Sequence, residues 1–270
     1  MSTILAPLAA TFLSVSAQPA PAALSPPPAG RWIADFGDVR CSLVRQAGDG
    51  SFAAVTLVPG TGVVDLRLNG KGWDSATVRP GEDVEVELAP GGMKVSRPAR
   101  EIPLTSGEAV ALTGVEKAFL DALAASSAIR LNARGQRLLE VRLSGAAKAV
   151  ATIRQCEEAM MKEWGADSAA QAALQRRAVA KGTLTAIVQD SDYPVSAMRA
   201  GNQGTVTVML TVAKEGRVRM CTVVGSSGHA DLDSTACRIL RTRATFEPAI
   251  GADGAAAEDY VVTSITWLVS

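Results

Sequence analysis

The sequence predicts an α+β protein of two domains: a β-rich N-terminal α+β domain, then a small domain of a β-hairpin, a helix and an edge strand. Two observations lead to this prediction. A chain of 270 residues is long enough for about two domains that each bury a core. Short segments of alternating apolar and polar residues fill much of 31–165 and recur near the C-terminus, with helix-like segments between them.

The first thirty residues are predicted to be a targeting segment and a spacer. Residues 3–17 are apolar over the length of a signal-peptide core, and Val15 and Ala17 supply the small residues of a cleavage site, although no Lys or Arg precedes them. Residues 1–17 are therefore assigned to a signal peptide. If retained, this segment is short for a membrane span. Residues 18–30 form a Pro/Ala-rich spacer.

Residues 31–165 are predicted to form the first domain, an α+β unit whose role the sequence does not specify. Apolar alternation, turn residues and helical periodicity assign its elements. They are, in order, strands at 40–46, 51–59 and 62–68, a turn at Asn69-Gly70, a hairpin at 82–96, a helix at 108–126, a strand at 127–143, and a helix at 145–164 with Ser144 as its N-cap.

The second domain is predicted at 189–270, joined to the first by an alanine-rich helical connector at 166–188. Residues 205–225 alternate as a hairpin, with a turn at Lys214-Glu215-Gly216. A helix follows at 231–244, with Asp231 as N-cap and an apolar face that includes Leu232 and Ile239. A terminal strand at 260–270 completes the domain.

Four cysteines in an exported chain predict two disulfides, although four cysteines permit three pairings. Proximity in sequence favours Cys221–Cys237, which leaves Cys41–Cys156 to close the first domain. The helix at 145–164 places Cys156 in its apolar stripe, facing the core. No Cys-x-x-Cys spacing supports a redox motif or a zinc site.

Charge and composition argue against several functions. The 27 basic and 27 acidic residues cancel, and aromatic residues make up only 4%, so no nucleic-acid partner is expected. Ser227, the single histidine His229 and Asp231 have the residue types of a hydrolytic triad, but triad members normally come from separate elements. The segment is predicted to be a disulfide-tied turn before a helix. We expect no enzyme activity, no catalytic residue, no metal site and no cofactor.

Residues 193–269 carry a set of motifs that resembles the C-terminal domain of the TonB family. The motifs are Tyr193-Pro194, Gly204 to Val206, Gly216 to Val218, Ser226 to Gly228, Leu232-Asp233 and Phe246 to Ala249. The resemblance implies a periplasmic protein that binds outer-membrane TonB-dependent receptors, in energy-dependent transport across the outer membrane. An inner-membrane tether is implied if the N-terminal segment stays uncleaved. The spacer is far shorter than that of a full TonB protein.

In this family a short receptor peptide, the TonB box, adds as a strand beside the last strand of the domain. An exposed sheet edge offers unpaired main-chain groups for such an addition. The partner-binding residues that the resemblance implies are Tyr260, Val261, Val262, Thr263, Ser264, Ile265, Thr266, Asp190, Ser191 and Asp192.

An alternative function is a periplasmic structural or ligand-binding protein in which the second domain serves for docking or for pairing with a second copy of the chain. The first domain itself resembles periplasmic proteins of the invasion-associated locus B type. Trp32, Cys41 and the segments 120–131 and 143–156 carry that resemblance.

Overall fold

The structure is a computed structural model that describes residues 30–70, 78, 79, 81–104 and 107–269. The predicted signal peptide, the spacer up to residue 29 and the segment just after the Asn69-Gly70 turn lie outside the described residues. The elements are, in chain order, β1 (Trp32–Phe36), β2 (Cys41–Gln46), β3 (Phe52–Leu57), β4 (Val63–Asn69), β5 (Asp83–Ala89), β6 (Met93–Pro98), β7 (Arg100–Leu104), β8 (Gly107–Glu116), α1 (Phe119–Ala124), β9 (Ala128–Ala133), β10 (Gln136–Arg142), α2 (Ala146–Glu163), α3 (Ser168–Ala172), β11 (Val179–Ala180), α4 (Val195–Ala200), β12 (Gly204–Val212), β13 (Val218–Gly225), α5 (Ala230–Arg243), β14 (Phe246–Glu247), β15 (Ala249–Ile250), β16 (Ala256–Ala257) and β17 (Asp259–Trp267).

The first domain is built on two antiparallel sheets that share one core. One sheet has the order β1-β2-β3-β4-β8-β7 and the other the order β10-β9-β5-β6. Leu43 and Leu66 of the first sheet and Val86 and Leu131 of the second belong to the same cluster of buried side chains. The alternation along these strands explains the arrangement, because each strand has one apolar face to bury. The α+β fold class is confirmed.

Helix α2 closes one end of this core, and the disulfide Cys41–Cys156 ties it to β2. Both sulfurs lie beside the Met160 thioether, the Cys41 sulfur at 3.5 Å. The predicted pairing of Cys41 with Cys156 is thus confirmed. The predicted N-cap Ser144 is wrong, because Gly145 takes that position in a left-handed conformation. Ser144 instead accepts a hydrogen bond from Arg45 Nη2 at 2.7 Å.

The predicted helix at 108–126 is wrong over its first half. Residues Gly107–Glu116 form strand β8, which pairs with both β4 and β7, and helix α1 begins only at Phe119. Alanines within this segment favour a helix, whereas Val110 and Leu112 are buried as residues of a central strand. Pairing on both sides outweighs the local helix preference.

Residues 127–143 form a hairpin of β9 and β10 instead of the single predicted strand. Arg134 and Gly135 both have positive φ angles, +49° and +74°, as a tight hairpin turn requires. Residues 166–188 also differ from the predicted helical connector. Only Ser168–Ala172 are α-helical, and Val179–Ala180 then pair with Phe246–Glu247 as β11 and β14.

The second domain follows its predicted pattern. A three-stranded antiparallel sheet has the order β13-β12-β17, and helix α5 packs across one face. The disulfide Cys221–Cys237 joins β13 to α5, as predicted. Gly216 in the hairpin turn has a φ of +72°, and a Cβ there would overlap the Phe246 carbonyl oxygen. This close approach explains the glycine of the hairpin turn.

The other face of the three-stranded sheet packs against the first domain. Met209 of β12 and Val262 of β17 are buried there against Met161, with Val58 and Trp164 around them. Strand β12 is therefore covered on both faces, which explains why seven of its nine residues are buried. The two domains are joined by an apolar contact as well as by the chain.

Candidate partner-binding edge

Strand β17 is an edge of its sheet, since β12 is the one strand that pairs with it in the described part of the chain. Val261, Ile265 and Trp267 point towards helix α5 and belong to the core of the second domain. Tyr260 and Val262 point to the opposite face, towards the first domain. Strand β17 thus lies at the edge of the described sheet, and Trp267 fills the interior of the domain.

Main-chain groups along β17 alternate between β12 and the free side. The Val262 amide and the Tyr260 carbonyl both bond to groups away from β12, so even-numbered residues direct their main chain outwards. The close side-chain pairs Thr207–Ser264 at 2.9 Å and Thr205–Thr266 at 3.0 Å agree, because side chains approach most closely at pairs that lack ladder hydrogen bonds.

The second half of the edge is open. The outward main-chain groups of Ser264 and Thr266 have no hydrogen-bond partner among the described residues. The strand contains no proline, charge or bulge over Tyr260–Trp267 that would hinder pairing. Beyond it, the Leu268 side chain is 70% exposed. An extended peptide has access to a ready main-chain template here.

A groove runs beside this open half. Its volume is about 220 Å³, and its opposite wall is the segment before α4, which contains two 3-10 turns at Leu184–Ile187 and Asp190–Asp192. The residues that line it are Thr185, Val188, Gln189, Asp190, Tyr193, Ile265, Thr266, Trp267 and Leu268.

Two contacts hold the groove wall against the domain. The Tyr193 ring stacks edge-on against Trp267, with centroids 5.3 Å apart, and its hydroxyl donates to the Asn202 carbonyl. Asp192 forms an ion pair with Arg243 of helix α5, with Nη2–Oδ1 at 2.7 Å. Hydrogen bonds from the Arg243 guanidinium and the Gln189 main chain hold the pKa of Asp192 below its usual value.

One buried polar atom in the groove lining is unsatisfied. The Trp267 side chain is 97% buried, since only 3% of the residue is exposed, and its Nε1–H has no acceptor within the described part of the chain. Buried indole N–H groups usually find a partner.

The segment Ser226–Asp233 has the geometry of a tied turn. Asp233 accepts hydrogen bonds from Ser226 Oγ at 2.6 Å and from Ser227 Oγ at 2.7 Å, and neither serine bonds to the imidazole among the described contacts. The N-cap of α5 is His229, so the prediction of Asp231 was wrong by two residues. Ser227 Oγ accepts from the His229 amide at 3.3 Å, which ties the turn before the helix, and His229 itself provides no side-chain cap.

Asp233→Asn is expected to lower the free energy of unfolding by about 1 kcal/mol at pH 7. Burial opposes ionisation of Asp233, but the donors of Ser226 and Ser227 outweigh it and hold its pKa below the usual value. A lowered carboxyl pKa stabilises the fold above the unfolded pKa of about 3.9, and the effect disappears as pH falls through the folded pKa. Urea unfolding measured from pH 7 to pH 3 should therefore show that the free energies of unfolding of the wild type and Asp233→Asn approach each other as the pH falls. A difference that is constant across this range contradicts the assignment.

Other site types find little support in the described ranges. Residues 30–70, 78, 79, 81–104 and 107–269 contain no group of three or more His, Cys, Asp or Glu side chains placed to hold a metal ion. Within the same ranges, no helix is both long and apolar enough to cross a membrane.

The structure separates the ten predicted partner-binding residues into distinct groups. Val261, Thr263 and Ile265 direct their main chain to β12, whereas Ser264 and Thr266 offer theirs to the open side. Asp190 lines the groove and Ser191 is exposed, but Asp192 is committed to Arg243. Tyr260 and Val262 already have partners on the outward side.

Sequence reasoning missed much of the groove. Gln189, Val188, Thr185 and Leu268 line it but were not among the predicted site residues. The run of exposed polar residues before Tyr193 was the available signal, because it interrupts a segment that otherwise reads as helical.

Residues 189–267 match the sequence model of the family described as Gram-negative bacterial TonB protein C-terminal. The resemblance that the motifs at 193–269 predicted is thus confirmed. Among solved structures, the chain is similar to a crystal structure of invasion associated protein B from Bartonella henselae. The two are 21% identical, with a TM-score of 0.36, and the match covers 49% of this chain and 97% of that chain. It is a protein of the type that the first domain was predicted to resemble. No curated protein matches the chain.

Proposed function

We propose that the second domain binds an extended segment of an outer-membrane receptor, which adds as a strand to the open half of β17. The protein is then an exported periplasmic component of energy-dependent transport across the outer membrane. One observation carries the proposal: the outward main-chain groups of Ser264 and Thr266 are unpaired among the described residues, and Thr266 lines a groove beside the strand. Main-chain pairing accepts many sequences, and the groove selects among side chains.

The family match supports this proposal independently of the geometry. Residues 189–267 match a family named for the TonB C-terminal region, and they include β17 and the part of the groove wall from Gln189 onwards.

Thr266→Pro is expected to reduce receptor binding at least tenfold. Proline removes the outward N–H, and its ring obstructs the approach of a partner strand, but no hydrogen bond to β12 is lost because that N–H faces away from β12. Thr266→Val is the matched control, since it keeps the N–H. The measurement is a pull-down from detergent-solubilised outer membranes with the full chain as bait, quantified by mass spectrometry of β-barrel receptors.

Two outcomes contradict the proposal. Equal capture of receptors by the two variants, with equal melting temperatures, would show that the edge is not the binding site. A dimer that depends on concentration in sedimentation and is lost in Thr266→Pro, with no receptor captured, would assign the edge to a second copy of the chain.

A further inference from the structure

The first half of the β17 edge is covered from within the chain. The Val262 amide donates to the Gly60 carbonyl of the first domain, at 3.4 Å. The Tyr260 carbonyl accepts from Arg177 Nη2 at 2.8 Å and from Gln171 Nε2 at 3.4 Å. The Tyr260 amide donates to Asp259 Oδ1 at 2.7 Å. The outward amides of Tyr260 and Val262 and the outward carbonyl of Tyr260 therefore all have hydrogen-bond partners within the chain.

The cover is a packed contact as well as a set of hydrogen bonds. Val262 is buried beside Met161 and Met209. Gly60 approaches β17 so closely that a Cβ at this position would lie 2.7 Å from Val262 Cγ2 and 3.1 Å from Met161 Sδ. No side chain fits between the loop and the strand, so a partner strand has no room there either.

We propose that the first domain and the connector limit the added strand to the stretch from Thr263 to Leu268. The partner is then a short extended segment of about six residues at most, or about 20 Å, which must end, turn or leave the sheet beside Val262. A segment that pairs along the whole of β17 does not fit. This inference rests on the proposed function, since it specifies which segments the open edge accepts.

The coincidence of two independent boundaries supports this stretch. The groove is lined by Ile265, Thr266, Trp267 and Leu268 on the side of the strand, and it stops short of Val262. Among the described residues, the outward hydrogen bonds of the strand also end at Val262: Arg177 donates to the Tyr260 carbonyl, and the Val262 amide donates to the Gly60 carbonyl. The free outward amides therefore begin at Ser264 and the groove at the next residue, Ile265.

A measurement without ligand tests the cover itself. In amide hydrogen exchange of the full chain by NMR, the Val262 N–H is expected to exchange at least tenfold more slowly than the N–H groups of Ser264 and Thr266. Gly60→Ala should accelerate exchange at Val262. The matched control is Gly62→Ala, because Gly62 has a similar φ of +76° but nothing within 4 Å of its Cβ position. Equal exchange at the three amides would overturn the inference.

A second measurement tests the limit on the partner. Twelve-residue peptides are selected from a displayed random library for binding to the full chain, and peptides that also bind Thr266→Pro are discarded. The selected peptides are then shortened from each end, and the affinity of each is measured by calorimetry. Extension past Val262 should leave the wild-type affinity unchanged, but should raise it about fivefold in Gly60→Ala, where the Val262 amide is released for one added main-chain hydrogen bond. Gly62→Ala is again the control, because a Cβ at Gly62 meets nothing within 4 Å.

The outcomes separate the two proposals. If no peptide depends on Thr266, strand addition fails as the proposed function, and the exchange experiment still decides whether the edge is covered. If peptides bind and the wild type gains affinity from pairing past Val262, strand addition holds and the limit on strand length is wrong.

Discussion

Replacing Cys41 and Cys156 together by alanine is expected to lower the free energy of unfolding by about 4 to 5 kcal/mol. The disulfide closes a loop with a sequence separation of 115 residues, which holds nearly all of the first domain. Its loss lets the unfolded chain gain the conformational entropy of that loop, and it also removes buried sulfur atoms beside Met160. The change is comparable with the whole stability of a typical domain.

The second disulfide provides an internal comparison. Cys221 and Cys237 are separated by 16 residues, so replacing both by alanine is expected to cost about 3 kcal/mol. Urea unfolding of both double variants under non-oxidising conditions, followed by circular dichroism, measures the two costs. A larger cost for the short loop would mean that native packing around the sulfurs, and not the constraint on the unfolded chain, dominates.

The second domain could be predicted closely because its signals are local. Val206, Val208 and Leu210 alternate without interruption, and β12 and β13 appear where this pattern places them. Helix α5 begins one residue from its predicted start, since the acidic residues that precede its apolar face mark that end. The two disulfides agree with prediction because helical periodicity and proximity in sequence point to the same pairing.

The first domain contained less local information. The alanines of Gly107–Glu116 resemble a helix, and only the strands on either side make the segment a central strand. The Arg134-Gly135 turn was overlooked because arginine rarely adopts a positive φ. In both cases the pairing of neighbouring strands determines the conformation, and the local sequence preference either does not specify it or favours a different one.

The candidate edge shows the same division. Sequence reasoning identified β17 as an exposed edge strand, but which of its residues direct main-chain groups outwards depends on its register with β12. The cover over Val262 comes from Gly60, about two hundred residues earlier in the chain, and nothing near either residue signals it. Half of the predicted edge is therefore occupied for a reason that only the contact between domains provides.

Asp259→Ala is expected to lower the free energy of unfolding by about 3 kcal/mol. The carboxylate is fully buried at the start of β17 and accepts from Arg177 Nε at 2.8 Å, from the Ala178 amide at 2.8 Å and from the Tyr260 amide at 2.7 Å. Alanine would leave two main-chain donors without their acceptor. Arg177 is about half exposed, so water can solvate its guanidinium once the carboxylate is removed. The expected loss of stability is therefore at the lower end of the range for breaking a buried ion pair.

The neighbouring residue supplies the control. Glu258 pairs with Arg219 at 2.7 Å, but both side chains are partly exposed, so Glu258→Ala should change stability by no more than about 0.5 kcal/mol. Urea unfolding of the two variants gives the comparison. Similar effects for the two acids would mean that burial at Asp259 does not matter and that the connector is not anchored through it.

Asp259→Ala is also expected to change how accessible the main chain of β17 is to a partner. Asp259 holds both the Tyr260 amide and Arg177, and Arg177 in turn occupies the Tyr260 carbonyl. Without the carboxylate, amide exchange at Tyr260 should rise at least tenfold, whereas Ser264 and Thr266, which are already open, should be unchanged. An increase along the whole of β17 would indicate fraying of the strand and not release of a cover. The buried carboxylate thus stabilises the domain by the same hydrogen bonds that withhold part of its edge from a partner.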